Sequence, residues 1–312
     1  MPSPATLLCA LSVDLDEISN YFAIHGLSLA QSGRAQQAVY RTALDRFSAF
    51  AASHDIPLTF FAVASDLRDS DNANALRSLV DRGHEVANHS FDHIYDLTRL
   101  DREAMRYQIV DAADFIEKAV GTRPRGFRAP GYVVTDALID VLMDANVFYD
   151  SSVFPCPAYY VAKTAALAFI TARFRVSHSI MDSPRVLTAP TTPYRLGRPY
   201  SRTGDRLVEL PIQVTRGLRL PYIGTTLALA GRHGAQLLTR LVIGAPLVNL
   251  ELHGIDLLDT VDGLEALVPY QPDVRVSVDR KQAIFSEAVR SLRRAGYAFV
   301  RLDEAAERFQ RA

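Results

Sequence analysis

Cysteine is scarce. The 312-residue chain has two, Cys9 and Cys156, and no CxxC pair. Two isolated thiols exclude a disulfide framework and fit a reducing compartment; Cys9, inside the first apolar run, reads as a small buried hydrophobe. Long apolar runs are missing too. Nothing approaches the ~18 consecutive apolar residues that a spanning helix needs, so no integral membrane segment is expected. Met1 to Ala5 carry no Lys or Arg, and the run Leu7–Val13 leads straight into Asp14. No removable signal peptide is therefore expected, and the expected location is cytoplasmic. An excess of either charge is also absent: the net charge is −1, which gives no reason to expect a nucleic-acid partner. Internal repeats and low-complexity tracts are not evident. What is present, 48% hydrophobic and 22% charged residues, suits a soluble globular enzyme with one large α/β domain or two smaller ones.

Short apolar runs alternate with helical patterns through the first half. Thr6–Val13, Pro57–Val63, Glu85–Asn88, Gly126–Ala129 and Val147–Tyr149 read as strands. Gln37–His54, Asn72–Arg82, Arg102–Val120 and Thr135–Asn146 read as helices, with Gly83 and Gly121 as stops and Thr135 as an N-cap. This alternation predicts βα units and a parallel sheet or barrel. The regularity fails after Ser152, where prolines crowd the chain. Residues 155–245 read as an insertion or cap on a single domain spanning 1–312. It holds two apolar helices, Tyr159–Phe174 and Thr225–Val242, and a strand, Leu207–Val214, that returns toward the core. The βα pattern resumes with strand Leu247–Leu252, helix Arg280–Ala295 and strand Tyr297–Arg301.

A split set of metal-ligand types stands at the expected strand ends. Asp14-Leu15-Asp16 follows the first strand, and His89-Ser90-Phe91-Asp92-His93 follows another. Histidines four apart fall on one side of a helical turn or tight loop. Two imidazoles and one carboxylate leave coordination positions open, the mark of a catalytic site. Asp14 and Asp16, two apart, would share a face of a regular strand. Arg128-Ala129-Pro130-Gly131-Tyr132 and His253 end two further strands, the level at which parallel barrels place their chemistry.

These motifs, in this order, resemble the polysaccharide deacetylase family, the NodB-homology or carbohydrate esterase 4 group. Ser12-Val13-Asp14-Leu15 is similar to the first family motif, His89-Ser90-x-x-His93 to the second and Arg128-Ala129-Pro130-Gly131-Tyr132 to the third. Tyr149-Asp150-Ser151-Ser152 is similar to a later segment, and Leu250/Leu252 with His253 to the last motif. The departure is Leu15, where the family has a second Asp. Asp16 would supply that carboxylate, as in an Asp-x-Asp branch. The resemblance implies an α/β fold, a distorted (β/α) barrel of the NodB type with an inserted cap. It implies a hydrolase of linear amide bonds that takes an acetyl group from an amino sugar. Asp16, His89 and His93 would hold a divalent metal, with Zn expected and Co, Ni or Mn acceptable to the same donors. Asp14 would be the general base, oriented by Arg128. The Tyr132 N–H would bind the oxyanion, and His253 would be the general acid with Asp150 or Asp256 as its partner. Leu250 or Leu252 would line a pocket for the acyl methyl.

The substrate stays open at this level. A nucleotide-linked, lipid-linked or small N-acylated sugar fits a chain without an export signal. Removal of formyl, or hydrolysis of a non-sugar C–N bond, are the alternatives, and a silent carbohydrate-binding relative is the non-enzyme reading. The apolar helices of the insertion would serve as a cap, as the face of a homo-oligomer, or as a contact with a membrane surface, with Arg173, Arg175, Arg232 and Arg240 beside them. Tyr194, Arg195, Arg198 and Tyr200 read as a solvated loop or as substrate contacts.

Overall fold

The computed structural model describes residues 7–28, 33–172 and 179–311. Among these residues, nine strands form one sheet: β1 (Leu8–Asp14), β2 (Thr59–Ala62), β3 (Glu85–Asn88), β4 (Gly126–Phe127), β5 (Tyr149–Asp150), β6 (Tyr194–Leu196), β7 (Thr203–Glu209), β8 (Leu247–His253) and β9 (Ala298–Phe299). Their order is β6-β7-β5-β4-β3-β2-β1-β8, with β9 also on β1. The pairs are parallel except β6 with β7. Among the described residues, ten α-helices accompany them: α1 (Ile18–Ile24), α2 (Leu44–His54), α3 (Ser70–Asp81), α4 (Arg102–Arg106), α5 (Ala112–Val120), α6 (Asp136–Asp144), α7 (Pro157–Ala172), α8 (Gly224–Val242), α9 (Val278–Arg294) and α10 (Leu302–Gln310).

The sheet curls until the chain after β7 meets β8. Gln213 N–H donates to the Asn249 carbonyl at 3.1 Å. Pro211 has no N–H to extend a ladder there. The buried Asn249 amide instead donates to the carbonyls of Leu210 (3.1 Å) and Pro211 (3.3 Å). One backbone bond and a side chain thus close the seam of a distorted barrel. The expected strand Leu207–Val214 is therefore half ladder and half seam, and its ladder starts earlier, at Thr203.

The floor of the barrel is plugged by α10, an element with no counterpart in the sequence reading. Leu302, Ala305 and Ala306 pack with Leu8, Phe61, Tyr149 and Leu247. Thr59 Oγ1 accepts from Leu302 N–H (2.9 Å), and Glu85 Oε2 accepts from Asp303 N–H (3.1 Å). The N-terminal N–H groups of α10 are thereby satisfied inside the protein. Gly126 is required by this packing, since a Cβ there would fall 2.0 Å from the Tyr149 ring.

Other elements match their patterns with local differences. Thr135 caps α6, its Oγ1 accepting from Leu138 N–H at 3.2 Å. The helix expected over 102–120 is broken by a π turn, Tyr107–Asp111, and α8 bends at Gly231 (φ 65°, ψ −177°). The strand expected at Val147–Tyr149 is found at Tyr149–Asp150, and α1 was not expected. The segment 155–245 supplies β6 and β7 to the sheet as well as α7 and α8. Phe174, Arg173, Arg175 and His178 lie outside the described residues. Tyr194 and Tyr200 are buried, with Tyr194 Oη donating to the Tyr200 carbonyl at 3.0 Å, and Arg198 pairs with Asp140 of α6 at 3.2 Å. These side chains fasten the hairpin to the barrel. Among the described residues, no helix is long and apolar enough to cross a membrane.

Candidate active site

Strand alternation selects the inward side chains. On β1, Cys9, Leu11 and Val13 join the core packed against the helices, while Ser12 and Asp14 face the barrel interior. Asp14 is in register with His253 at the end of β8. Leu15 is fully buried in the outer core, so the residue that cannot ligate faces away and Asp16 turns back to the site. Asp16 Oδ1 lies 3.1 Å from His89 Nε2 and 3.0 Å from His93 Nε2.

The two histidines stand on a tight loop, not a helix. Ser90 (φ 70°) and His93 (φ 54°) take left-handed backbone, a cost of ~1–3 kcal/mol each that the surroundings must over-determine. They do so through side chains. Asn88 Oδ1 accepts from Ser90 N–H (2.9 Å), Ser90 Oγ from His93 N–H (3.1 Å), and Gln108 Oε1 from Phe91 N–H (3.2 Å) and Asp92 N–H (2.9 Å). Gln108 sits on the π turn, which aims it at the loop. Gln108→Ala leaves two loop N–H groups without their acceptor, and metal affinity is expected to fall ~10-fold or more. Metal titration by competition with a chromophoric chelator checks this; an unchanged affinity would remove Gln108 from the account.

The donor set fits a metal ion. His89 Nδ1 donates to the Arg128 carbonyl at 2.7 Å, which leaves the Nε2 lone pair facing Asp16. Asp16 Oδ1 and His93 Nε2 are buried without a hydrogen bond despite their closeness. These polar atoms therefore crowd one buried point, an arrangement that a bound cation would satisfy. Against the cost of burial, His93 and His89 hold the Asp16 carboxyl well below its usual range.

Across from this set, Arg128 is fully buried and nearly saturated. Its Nη1 donates to Asp14 Oδ1 (2.6 Å), Nη2 to Ser12 Oγ and Ser151 Oγ (both 2.9 Å), and Nε to the Ser151 carbonyl (2.9 Å). Its guanidinium stacks 4.0 Å from the Phe61 ring centroid. Burial raises the Asp14 pKa above the ordinary carboxylate value although Arg128 pulls it down. Asp14 Oδ2 keeps no partner and lies 3.8 Å from His89 Nε2, further than Asp16.

His253 Nδ1 lies 2.7 Å from Glu251 Oε1. The partner is thus neither Asp150 nor Asp256. Asp256 Oδ2 accepts the His253 backbone N–H at 2.8 Å instead. Asp150 Oδ1 accepts from Ser152 Oγ at 2.6 Å, and its strand partner is Glu209. Burial costs the His253 cation, yet Glu251 holds its pKa well above the imidazole value. Tyr132 Oη stands 3.0 Å from both Glu251 Oε1 and His253 Nε2. Its side chain, which the family pattern leaves without a role, therefore enters the site. Its N–H donates to the Ala129 carbonyl at 3.0 Å, so the expected oxyanion donor is already engaged in a turn. Gly131 and Tyr132 both have positive φ (64° and 61°) there. Leu250 and Leu252 pack in the outer core; Ile223 and Ile255 line the cavity in their place.

Asp150 Oδ2 and Glu209 Oε2 have no other partner, and one shared proton satisfies both. Burial raises both carboxyls above their usual range, Glu209 well above, with the Asp150 charge adding to Glu209. A raised folded pKa favours the fold at low pH, and that contribution is lost as pH rises through it. Glu209→Gln removes one of the two titrating carboxyls, and its unfolding free energy is expected to fall less steeply with rising pH than that of the wild type. Chemical denaturation across pH checks this; parallel profiles would contradict it.

The site opens into a cavity of ≈ 450 Å³ bounded by Tyr21, Tyr95, Tyr159 and Lys163 among others. Lys163 Nζ donates to the Gly131 carbonyl at 3.0 Å, and burial lowers its pKa to about 8.

A polysaccharide deacetylase family model matches residues 37–149, the stretch holding His89, His93, Arg128 and Tyr132. Over that stretch, about a third of its length, the chain is similar to the polysaccharide deacetylase family. It is 32% identical over 88 residues to the peptidoglycan-N-acetylglucosamine deacetylase of Bacillus cereus, covering 28% of this chain and 39% of that one. It is 31% identical over 97 residues to the chitooligosaccharide deacetylase of Sinorhizobium fredii, covering 31% and 44%. An uncharacterised Bacillus subtilis protein, YlxY, is 24% identical over 155 residues, covering 48% and 44%. The matches span less than half the length of each of these relatives. A candidate polysaccharide deacetylase of Mycobacterium smegmatis superposes with a TM-score of 0.55 at 20% identity, over 96% of this chain and 94% of that one. A CE4 family pseudoenzyme of Bacillus anthracis superposes with a TM-score of 0.50 at 13% identity, over 97% and 66%. These superpositions concern the fold alone.

Glu251, Asn88 and Gln108 escaped the sequence reading. For Glu251 a signal existed: two residues before His253 on a strand, it shares that residue's face. Asn88 and Gln108 act only through a folded loop.

Proposed function

We propose that the chain is a metal-dependent amide hydrolase that removes an N-acyl group, acetyl first among them, from an amino sugar. The observation that supports this most is the convergence of Asp16, His89 and His93, with their lone pairs on one buried point, beside the free oxygen of Asp14. Asp16, His89 and His93 would hold a divalent ion, with Zn expected, which would supply polarisation of a carbonyl and a more acidic water. The rest is the work of the chain. Asp14 Oδ2 takes a proton from the attacking water, and burial, which raises its pKa, favours that uptake. Arg128 fixes the other oxygen of Asp14 and balances its charge. His253, held charged by Glu251, carries the proton at Nε2 that the leaving nitrogen needs. Tyr132 donates to Glu251 and accepts from His253, fixing the ring plane. The aromatic cavity walls exclude water and offer faces to a sugar ring.

The test is release of acetate or formate from free, nucleotide-linked and lipid-linked N-acyl sugars, with simple non-sugar amides beside them. Release from a sugar that a chelator stops and Zn²⁺ restores supports the reading. Turnover confined to non-sugar amides, or unaffected by chelation, overturns it.

A further inference from the structure

Charge is segregated along this near-neutral chain. Residues 151–250 contain twelve Lys and Arg but three Asp and Glu, against 34 and 35 in the whole. Between Glu209 and Glu251 no acidic residue occurs. The same stretch exposes leucine. Among the described residues, the exposed large hydrophobics include four leucines: Leu218 (76%), Leu229 (49%), Leu237 (58%) and Leu241 (36%). Three lie on the outer side of α8, where Arg232 and Arg240 are also exposed. The fourth is on a turn that Arg216 ties to the end of α8, its N–H donating to the Leu241 carbonyl (3.2 Å) and its Nη1 to that of Ile243 (3.3 Å). Among the described residues no carboxylate forms an ion pair with Arg216, Arg232 or Arg240. A solvated helix surface normally mixes charges of both signs; this one sets leucines beside arginines and has no acidic residue of its own.

The position of this face is equally informative. Thr225 and Thr226, on the first turn of α8, line the active-site cavity, and Leu229 lies one turn further on. Ala162 and Lys163 of α7 line it too, next to Val161, which is 67% exposed. The basic, leucine-bearing surface therefore begins at the cavity rim.

We infer that the outer face of α8 with the Leu218 turn docks on an anionic phospholipid surface, leucines entering the headgroup–acyl boundary and arginines meeting the phosphates. A soluble polyanion would use the arginines and leave the leucines in water, so the leucines select lipid. Docking would hold the cavity mouth at a bilayer, where a lipid-carried amino sugar is presented. That consequence rests on the proposed function; the docking does not.

Vesicle co-sedimentation of the 312-residue chain, without substrate, separates the two. Binding to phosphatidylcholine vesicles carrying roughly one-third phosphatidylglycerol is expected to exceed binding to pure phosphatidylcholine by about 10-fold or more, and to weaken with salt. Leu237→Ser with Leu241→Ser, which leaves the charge unaltered, is expected to lower it by about 10-fold. Arg232→Gln with Arg240→Gln should abolish the anionic preference. All four sites are exposed, so melting midpoints should not move. No sedimentation with anionic vesicles overturns the inference. So does full binding by the double-serine variant, which would mark a polyanion site. A wild-type dimer that becomes monomeric in the double-serine variant, with no vesicle binding, would mark a self-association face and overturn it too.

Discussion

Asp14→Asn is expected to lower turnover by about 10³-fold while the metal stays bound, because the general base is lost and the metal donors are not. The amide keeps an oxygen for Arg128 Nη1, which now lies 2.6 Å from Asp14 Oδ1, so the network around Ser12 and Ser151 can persist. Asp14 Oδ2 stands 3.8 Å from His89 Nε2, against 3.1 Å for Asp16 Oδ1. The division of labour between the two aspartates rests on that difference. Acyl release and metal content measured on the same preparation check it. Loss of metal from Asp14→Asn would mean that the roles of Asp14 and Asp16 are exchanged. Residual turnover near wild type would remove Asp14 from the chemistry.

His89→Ala has the opposite signature. It takes away one of three converging donors, and the bond between Nδ1 and the Arg128 carbonyl that aims it. Metal affinity is expected to fall beyond the ~10–100-fold typical of losing an outer hydrogen-bond partner, and acyl release should fall with it. Removing a fully buried ring also costs stability, so melting midpoints accompany the metal analysis. A folded variant with undiminished metal would show that the ion is held elsewhere, for which Asp14, Glu251 and His253 form the other convergent group among the described residues.

Much of this site was legible because its chemistry sits at strand ends, and strand ends follow from apolar runs. Glu85–Asn88 is bounded as expected, and His89 follows it at once. Leu15 was legible as a departure but not as a reason: only the fold shows it buried in the outer core while Asp14 and Asp16 face inward. The partner of His253 stays open in the sequence, where Asp150 and Asp256 are both candidates. Asp256 is used on backbone and Asp150 on Ser152 and Glu209. Strand parity from His253 leads to Glu251, which an apolar run concealed. Tyr132 was read through its backbone, yet a positive φ at Gly131 and Tyr132 turns the hydroxyl, not the N–H, into the site. The barrel closure was beyond sequence, since a buried asparagine amide and one backbone bond, not a continuous ladder, join β8 to the chain after β7. The plug by α10 depends likewise on Thr59 and Glu85, far away in the chain.

The central claim is that Asp16, His89 and His93 hold one divalent ion. Elemental analysis of the purified chain, stripped with chelator and then dialysed against Zn²⁺, tests it most directly. The account predicts about one ion per chain, removed again by chelator. Less than ~0.2 ion per chain after metal-replete dialysis would contradict it.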